Sequence, residues 1–333
     1  MLAHRVLIAV RGGTAPTPDP EPEPVVFDDV TLQAGDWSIA IIPDPQRYAA
    51  NPAYYATYYA QTQWVADNAE ALNIQLVLNV GDVVDEGGVK PGQFVIADTA
   101  WDTIDATGIP YLIAVGNHDY DDDCKTLPKS TRATDIFNSY FGPARFTSAG
   151  WWDGGFYAGG KAENSYLLVT IGAVDYIILN LEFAPRQAIV DWAGGLLDTY
   201  SERAAIILTH GYLSDTGAYW NNAEGYNLPS GDFHEGQALW NELVKLYANV
   251  FLIICGHVTG DGNDWRVDDG DEGNTVNQVV TNYQSPIEPN GGNGYLRVAI
   301  FRPSENAIYM RTYSPTLEVY KSGSDHKFEL SYD

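Results

Sequence analysis

The sequence predicts a layered α/β sandwich whose functional residues lie at one end of its strands. Short apolar strands alternate with amphipathic stretches, and residues 205–208 and 251–254 are uninterrupted apolar runs. Such runs are typical of strands that are buried on both faces. Several predicted strands are followed directly by Asp, Asn or His. Because α/β folds usually bind ligands at the carboxyl ends of their strands, we expect the functional site there.

The individual elements are predicted from apolar periodicity and from the Gly and Pro residues that interrupt it. Strands are expected at residues 37–43, 75–80, 111–115, 165–170, 176–181, 204–209, 250–255, 276–283, 295–301 and 307–313. Helices are expected at residues 52–72, 93–107, 131–141, 185–200 and 236–247. The sequence shows no internal repeat.

The chain is predicted to consist of a short head (residues 1–15), a proline-rich acidic linker (16–33) and one large domain (34–333). In residues 16–24 proline alternates mainly with acidic residues, which is typical of an extended polyproline-II spacer. The head is too short to fold alone. It is interpreted as a disordered tail, a leader remnant, a strand over residues 4–11 that adds to a partner, or a tether to a larger assembly.

The 333-residue chain is strongly acidic, with 44 Asp and Glu, 18 Lys and Arg, and a formal net charge of −26. Nucleic-acid backbones and anionic membranes bind clustered cations, so neither is expected as the main partner. No apolar run reaches the roughly 18 residues that span a bilayer. Only 19% of the residues are charged, which favours an extracellular, cell-surface or virion-associated location over a cytoplasmic one. Solubility is the simpler interpretation of the acid excess itself.

The sequence contains two cysteines, Cys124 and Cys255. Two thiols cannot form a disulfide scaffold or a four-thiolate zinc site. One disulfide between them and two unbridged thiols both remain open.

The strand ends carry the residues that we expect to do chemistry. Successive strands are followed by Asp44-Pro45-Gln46, Gly81-Asp82-Val83-Val84-Asp85, Gly116-Asn117-His118-Asp119, His210-Gly211 and Gly256-His257. One Asp or Asn after a strand is ordinary turn chemistry, but so many together are not explained by turns. Carboxylate, carboxamide and imidazole groups suit divalent ions, and a carboxylate can bridge two of them. The sequence therefore predicts a metal centre.

These blocks resemble the motifs of the calcineurin-like metallophosphoesterases. The family pattern is D-x-H, G-D-x-x-D, G-N-H-[DE], a lone His and G-H-x-H, and the resemblance covers about residues 34–320. It implies a four-layer αββα sandwich, in which two mixed β-sheets flanked by helices hold a dinuclear metal site at the strand carboxyl ends. It also implies a hydrolase that cleaves phosphate mono- or diesters with metal-activated hydroxide.

The resemblance implies a role for each matching residue. Asp82 would bridge both metals, and Asp44 would bind the first metal. The second metal site would be completed by Asn117, His210 and His257. His118 would not be a ligand but would protonate the leaving group or stabilise the transition state. Asp85 and Asp119 would orient His118 or a ligand.

Two residues depart from the family pattern. Gln46 and Thr259 stand where the family has histidines of the first metal site. A carboxamide oxygen still binds a hard cation, whereas a threonine hydroxyl is a poorer ligand. We therefore expect one or two ions among Mn, Fe, Zn, Mg and Ca, with the first site weakened, absent or assisted by water, Asp261 or Asp264.

The expected substrate is a phosphorylated small molecule or a phosphate-containing glycopolymer. Trp151-Trp152 and Tyr219-Trp220 lie in loops near the strand ends, where aromatic rings could stack on sugars or bases, although packing within the loops is the simpler interpretation. The alternative function is a non-catalytic structural or adhesive module with a degenerate metal site, anchored to an assembly partner through residues 1–15.

Three further segments are interpreted as surface. His234 and His326 have no motif around them and are assigned to the surface. The acidic stretch 261–272 does not match the EF-hand spacing for calcium, so a solvated loop is predicted there.

Overall fold

Two large mixed β-sheets pack face to face and carry helices on their outer surfaces, as the resemblance implies. The computed structural model describes residues 24–122, 131–228, 231–259, 261–285 and 289–332. The predicted head, residues 16–23 of the predicted linker and Cys124 lie outside the described residues. Among the helices of the described residues, none has the length and apolar character needed to cross a membrane.

The first sheet has the strand order β15-β14-β13-β3-β4-β5, with β16 paired to β14, and the second has the order β11-β12-β10-β9-β8-β7-β6. A small hairpin, β1-β2, lies outside both sheets. The strands are β1 (Val26–Phe27), β2 (Val30–Thr31), β3 (Trp37–Ile42), β4 (Ile74–Asn79), β5 (Tyr111–Ile113), β6 (Gly154–Phe156), β7 (Ser165–Ile171), β8 (Val174–Asn180), β9 (Ala204–Leu208), β10 (Val250–Cys255), β11 (Asp264–Asp269), β12 (Thr275–Val280), β13 (Leu296–Arg302), β14 (Ala307–Ser314), β15 (Val319–Lys321) and β16 (Phe328–Ser331).

The helices cover the outer face of each sheet. They are α1 (Gln46–Ala50), α2 (Tyr55–Asn68), α3 (Gly92–Asp105), α4 (Asp135–Phe141), α5 (Pro143–Thr147), α6 (Gln187–Thr199) and α7 (Gly236–Glu242). Short 3₁₀ turns include Pro52–Tyr54, which precedes α2, and Val244–Leu246, which follows α7. On the first sheet, α2 and α3 are joined by a hydrogen bond from Trp101 Nε1 to Tyr58 Oη of 3.0 Å.

Successive side chains of a strand point to opposite faces of the sheet, and this alternation produces the four layers. In β3, Ile39 and Ile41 enter the core between the sheets, whereas Ala40 and Ile42 enter the core beneath the helices of the first sheet. The second sheet behaves in the same way, since Ile206 faces the first sheet and its neighbours in β9 face α6 and α7. A two-residue period with both faces apolar is what a strand between two layers requires.

The strands that lead to the predicted site are parallel within each sheet. β3, β4 and β5 are parallel neighbours, and so are β8, β9, β10 and β12. Their carboxyl ends therefore meet at one edge of each sheet, which is where the predicted site residues follow them.

Residues of the predicted linker pack against the large domain, and one predicted loop is a strand. Phe27 is 3% exposed and its ring packs against Trp64 and Tyr320, so the packed chain begins before residue 34. The acidic stretch 261–272 is not a solvated loop, because β11 pairs antiparallel with β12 there. Charged side chains suit β11, since it is an edge strand that must not pair with other molecules.

Candidate metal centre

Asp82 lies at the middle of the residues that the strand ends bring together. It is buried after β4, and its two carboxylate oxygens have different partners. Oδ1 accepts a hydrogen bond of 3.0 Å from the main-chain nitrogen of His118. Oδ2 lies 3.2 Å from His210 Nε2. The carboxylate therefore links the end of β4 to the ends of β5 and β9, which belong to different sheets.

His210 and His257 complete a compact cluster with Asp82. One ligand atom from each of the three residues lies within 4.8 Å of the others, and all three residues are buried. His210 Nδ1 is 2.7 Å from the main-chain oxygen of Val80. Because a carbonyl only accepts, Nδ1 donates to Val80, and Nε2 is the ring nitrogen that faces the cluster. Two imidazoles and a carboxylate are a donor set suited to Mn, Fe or Zn. Asn117, another predicted ligand, is buried beside them after β5.

Asp44 and Gln46 supply a second pair of buried oxygen atoms after β3. Asp44 Oδ2 accepts hydrogen bonds from the His257 main-chain nitrogen at 3.0 Å and from Asn282 Nδ2 at 2.6 Å. Asp44 Oδ1 and Gln46 Oε1 are also buried, yet accept no hydrogen bond from any described residue. A buried acceptor without a donor costs roughly 1–3 kcal/mol. A cation would satisfy both atoms, so these residues fit the first metal of the predicted pair.

Two residues that follow β12 contact the candidate site but were not predicted from the sequence. Asn282 donates to Asp44, and Gln284 accepts a hydrogen bond of 2.9 Å from Gln46 Nε2. Arg47, which follows Gln46, donates from Nε to the same Gln284 oxygen at 3.1 Å. A weak signal was present in the sequence, since Asn282 and Gln284 are polar residues that come shortly after the apolar pair Val279-Val280.

His118 lies beside the cluster and is less buried than the ligands, with 17% of its side chain exposed. Its Nδ1 donates to the main-chain oxygen of Asp85. The Asp85 carboxylate is farther away, at 3.9 Å from Nδ1. The main chain of Asp85, rather than its side chain, therefore makes the closer contact that holds the His118 ring.

Asp119 is fully buried and lies behind the site. Its carboxylate accepts hydrogen bonds from the main-chain nitrogens of Gly116 at 2.8 Å and Val84 at 3.2 Å. These bonds connect the turns after β4 and β5. Asp119 therefore supports the segments that carry Asp82, Asn117 and His118.

Glycine is required where the turns approach the carboxylates. A Cβ added to Gly116 would lie 2.0 Å from Asp82 Oδ1, and one added to Gly256 would lie 2.3 Å from Asp44 Oδ1. Either distance is far shorter than any allowed contact. The space around both carboxylates therefore depends on these residues having no side chain.

The pKa values show how the buried charges act on each other. Burial raises the pKa of Asp44 to about 8. Burial also opposes ionisation of Asp82, but His210 and His118 outweigh it and hold the pKa of Asp82 below its usual range. The pKa of His210 is raised to about 9, because Asp82 and Asp44 outweigh the effect of burial. The cluster is thus an anionic environment that favours a positive charge.

A cleft with a volume of about 90 Å³ opens over these residues. It is lined by Gln46, Arg47, Asp82, Asp85, Asn117, His118, Tyr226, His257, Thr259 and Gln284. A neighbouring cleft of about 130 Å³ shares Arg47 and Asp85 with it. Thr259 lies on the cleft wall as an exposed residue, unlike the buried residues Asp82, His210 and His257.

The two acidic residues that were expected to assist the first site have other partners. The Asp261 carboxylate pairs with Lys321 and lies 3.4 Å from His326 Nε2. Asp264 lies in β11, with its carboxylate beside Gly217. Asn282 and Gln284, rather than Asp261 and Asp264, are the residues that contact Asp44.

The assignment of His234 and His326 to the surface is wrong. His234 is 6% exposed and its two ring nitrogens lie near Pro185 O and the Glu242 carboxylate. His326 is 4% exposed and lies beside Asp261 and Asp325. Each is a buried polar residue that contacts a distant segment of the chain.

The aromatic loop residues pack within the protein. Trp152 stacks on Phe156 with ring centroids 4.9 Å apart, and Trp151 packs on Tyr111. Trp220 is 7% exposed and lies 4.9 Å from the His257 ring. The simpler interpretation, packing within the loops, is confirmed for these residues. Cys255 is also buried, and its Sγ accepts from the Leu213 nitrogen at 3.4 Å.

Comparison with known proteins identifies the family. A family model described as calcineurin-like phosphoesterase matches residues 32–274. The chain belongs to this family. The resemblance inferred from the strand-end motifs is therefore confirmed.

One curated relative and one solved structure are also similar to this chain. The uncharacterized protein YvnB of Bacillus subtilis is 30% identical over 323 residues, which is 93% of this chain. The chain spans only 23% of the length of that relative. A dimetal phosphatase from Danio rerio superposes with a TM-score of 0.54 at 13% identity, covering 93% of this chain and all of that one. This second similarity shows the shared fold.

Proposed function

We propose that the protein is a metal-dependent phosphoesterase that hydrolyses phosphate mono- or diesters in the cleft over Asp82. The observation that carries the proposal is the convergence of Asp82, His210 and His257 within 4.8 Å, with His118 beside them. The buried oxygens of Asp44 and Gln46, which lack described donors, support a second ion in the same cleft. Family membership supports the general activity.

The side chains of the cleft have separate tasks in this reaction. Bound divalent ions would supply Lewis acidity toward the phosphoryl oxygens and would lower the pKa of bound water. Asp44, Gln46 and Asp82 would hold the first ion, and Asp82, Asn117, His210 and His257 the second. Because His118 Nδ1 is engaged by Asp85 O, Nε2 is the nitrogen that holds a proton for the leaving group.

The cleft supports a small phosphorylated substrate. Arg47 lies on its wall, and a guanidinium can hold a phosphate through two parallel hydrogen bonds. Trp151, Trp152 and Trp220 are packed against other side chains, so they provide little support for stacking on a glycopolymer. We therefore favour a phosphorylated small molecule as substrate. The extracellular setting stays a proposal based on composition.

Hydrolysis of a mono-aryl and a bis-aryl phosphate with added Mn²⁺ tests the proposal. We expect turnover by the wild-type protein on at least one of the two compounds. The His118→Ala variant should lose a factor on the order of 10²–10⁴ in kcat, as for the loss of a general acid. Asn117→Ala and His210→Ala should also lower the metal content.

The matched control is His234→Ala, which removes a buried histidine whose partners are Pro185 and Glu242. Its turnover should stay within a few-fold of the wild type. Absence of turnover with every divalent metal would contradict the proposal for these substrates. Metal binding without turnover would favour the non-catalytic module instead.

A further inference from the structure

Gln284 connects two candidate ligands of the first metal site. Its Oε1 accepts hydrogen bonds from Gln46 Nε2 at 2.9 Å and from Arg47 Nε at 3.1 Å. Its Nε2 lies 3.4 Å from Asp44 Oδ2. Gln284 is 2% exposed and follows β12 of the second sheet, whereas Asp44 and Gln46 follow β3 of the first. One carboxamide therefore bridges the ends of both sheets.

These contacts decide which oxygen atoms are left for a cation. A glutamine side chain has one acceptor end and one donor end, and only the acceptor end can bind a metal. Because the donor end of Gln46 is hydrogen-bonded to Gln284, Gln46 Oε1 is the atom that remains available to bind a cation. On Asp44, three donors gather at Oδ2, namely the His257 nitrogen, Asn282 Nδ2 and Gln284 Nε2. Oδ1 accepts no hydrogen bond from the described residues.

The residue at position 259 does not fix the orientation of the Asp44 and Gln46 side chains. The family has a ligating histidine there, whereas Thr259 is short, exposed and at the wall of the cleft. Gln46 also replaces a histidine, and a carboxamide that no neighbour holds loses side-chain freedom when its oxygen binds a cation. A first metal site built on Asp44 and Gln46 therefore needs another residue to fix their orientation.

We propose that Gln284 is the positioning residue that makes the first metal site functional in this chain. It holds Gln46 with Oε1 free and helps to hold Asp44 with Oδ1 free, and so compensates for the imidazole that is missing at Thr259. The inference rests on the proposed function only in requiring that metals bind in the cleft.

Metal counting tests this inference without reference to activity. Chelator-stripped protein is dialysed against increasing Mn²⁺, and the bound metal per chain is measured by elemental analysis. We expect the wild type to bind two ions, one more weakly. Gln284→Ala should keep the tighter ion and weaken the other by about 10–100-fold, as is usual when a residue that orients a ligand is removed. Gln284→Leu, which fills the same volume, should give the same result if the alanine variant is unstable.

The matched control is Gln278→Ala in the preceding strand. Gln278 is fully buried like Gln284, and it bonds to Tyr212 and Asp268 rather than to a cleft residue. This variant should bind both ions with the affinities of the wild type. Equal weakening in the Gln278 and Gln284 variants, or two ions bound normally by Gln284→Leu, would overturn the inference. A wild type that binds only one ion would also overturn it, and one that binds none would overturn the proposed function as well.

Discussion

At the scale of single residues, three of the proposed metal ligands have a backbone conformation that L-amino acids rarely adopt. The φ angles of Asp44, Asp82 and His257 are 28°, 52° and 78°. A non-glycine residue in this region costs on the order of 1–3 kcal/mol and persists only where its surroundings enforce it. Here the turn after each strand directs the ligand side chain back over the strand end. The strained backbone of these three residues is therefore part of the arrangement that brings their side chains together.

Arg47 gives the first prediction at this scale. If its guanidinium holds the substrate phosphate, Arg47→Ala removes a charge-assisted hydrogen bond of about 1.5–3 kcal/mol. We expect KM for the aryl phosphate to rise roughly 10–100-fold while kcat changes much less, since the contact exists before and during the reaction. Steady-state kinetics with Mn²⁺ present measure both constants.

Arg203→Ala is the control for this variant. Arg203 lies before β9, at the opposite ends of the strands, and donates to the Tyr176 main-chain oxygen at 3.2 Å. Its removal should leave KM unchanged. An unchanged KM in Arg47→Ala would show that the phosphate is held by other groups.

At the scale of elements, the turns after β4, β5 and β10 form the site through close contact between backbone and carboxylate. Gly256 is the clearest case, because an added Cβ would lie 2.3 Å from Asp44 Oδ1 and 2.5 Å from Val80 Cγ2. Both neighbours are held by their own strands. The turn therefore has to move if a side chain is added.

The second prediction follows from this contact. Gly256→Ala should displace Asp44 or His257 and reduce the bound Mn²⁺ by at least one ion per chain. Gly195→Ala in α6 is the matched control, because an added Cβ there meets no atom within 4 Å. In a helix this change should stabilise the protein by about 0.5–1 kcal/mol and leave metal binding intact. Full metal content in Gly256→Ala would contradict the packing described here.

Elements with a strong apolar pattern were predictable from the sequence, and those defined by their partners were not. The strand at 250–255 was predicted with the bounds that β10 has. β6, β15 and β16 have three or four residues, too few for a two-residue period to be recognised. They are strands because a longer neighbour offers them hydrogen bonds.

The same limit explains which part of the site was missed. The residues after β3, β4, β5, β9 and β10 could be proposed from the sequence because each follows a clear apolar run. The strand at 276–283 was predicted to extend through Asn282, but β12 ends at Val280. Asn282 therefore lies beyond the end of the strand and not within it, and Gln284 lies two residues farther along. His234 and His326 were misassigned because burial by distant segments leaves no local signal.

At the scale of the whole molecule, the candidate metal centre joins the two sheets. Asp44, Asp82 and Asn117 follow strands of the first sheet, whereas His210, His257 and Gln284 follow strands of the second. The core between the sheets brings these two strand-end edges together. Divalent ions bound there, as proposed, would reverse the local field of a chain with a net charge of −26 and so attract an anionic substrate.

The central claim is that this edge of the sandwich binds two divalent metal ions. An anomalous difference map from crystals soaked in Mn²⁺ tests it most directly. We predict two peaks, both next to the Asp82 carboxylate, one on the side of His210 and His257 and the other on the side of Asp44 and Gln46. No peak at Asp82, or peaks confined to other surfaces of the protein, would contradict the account.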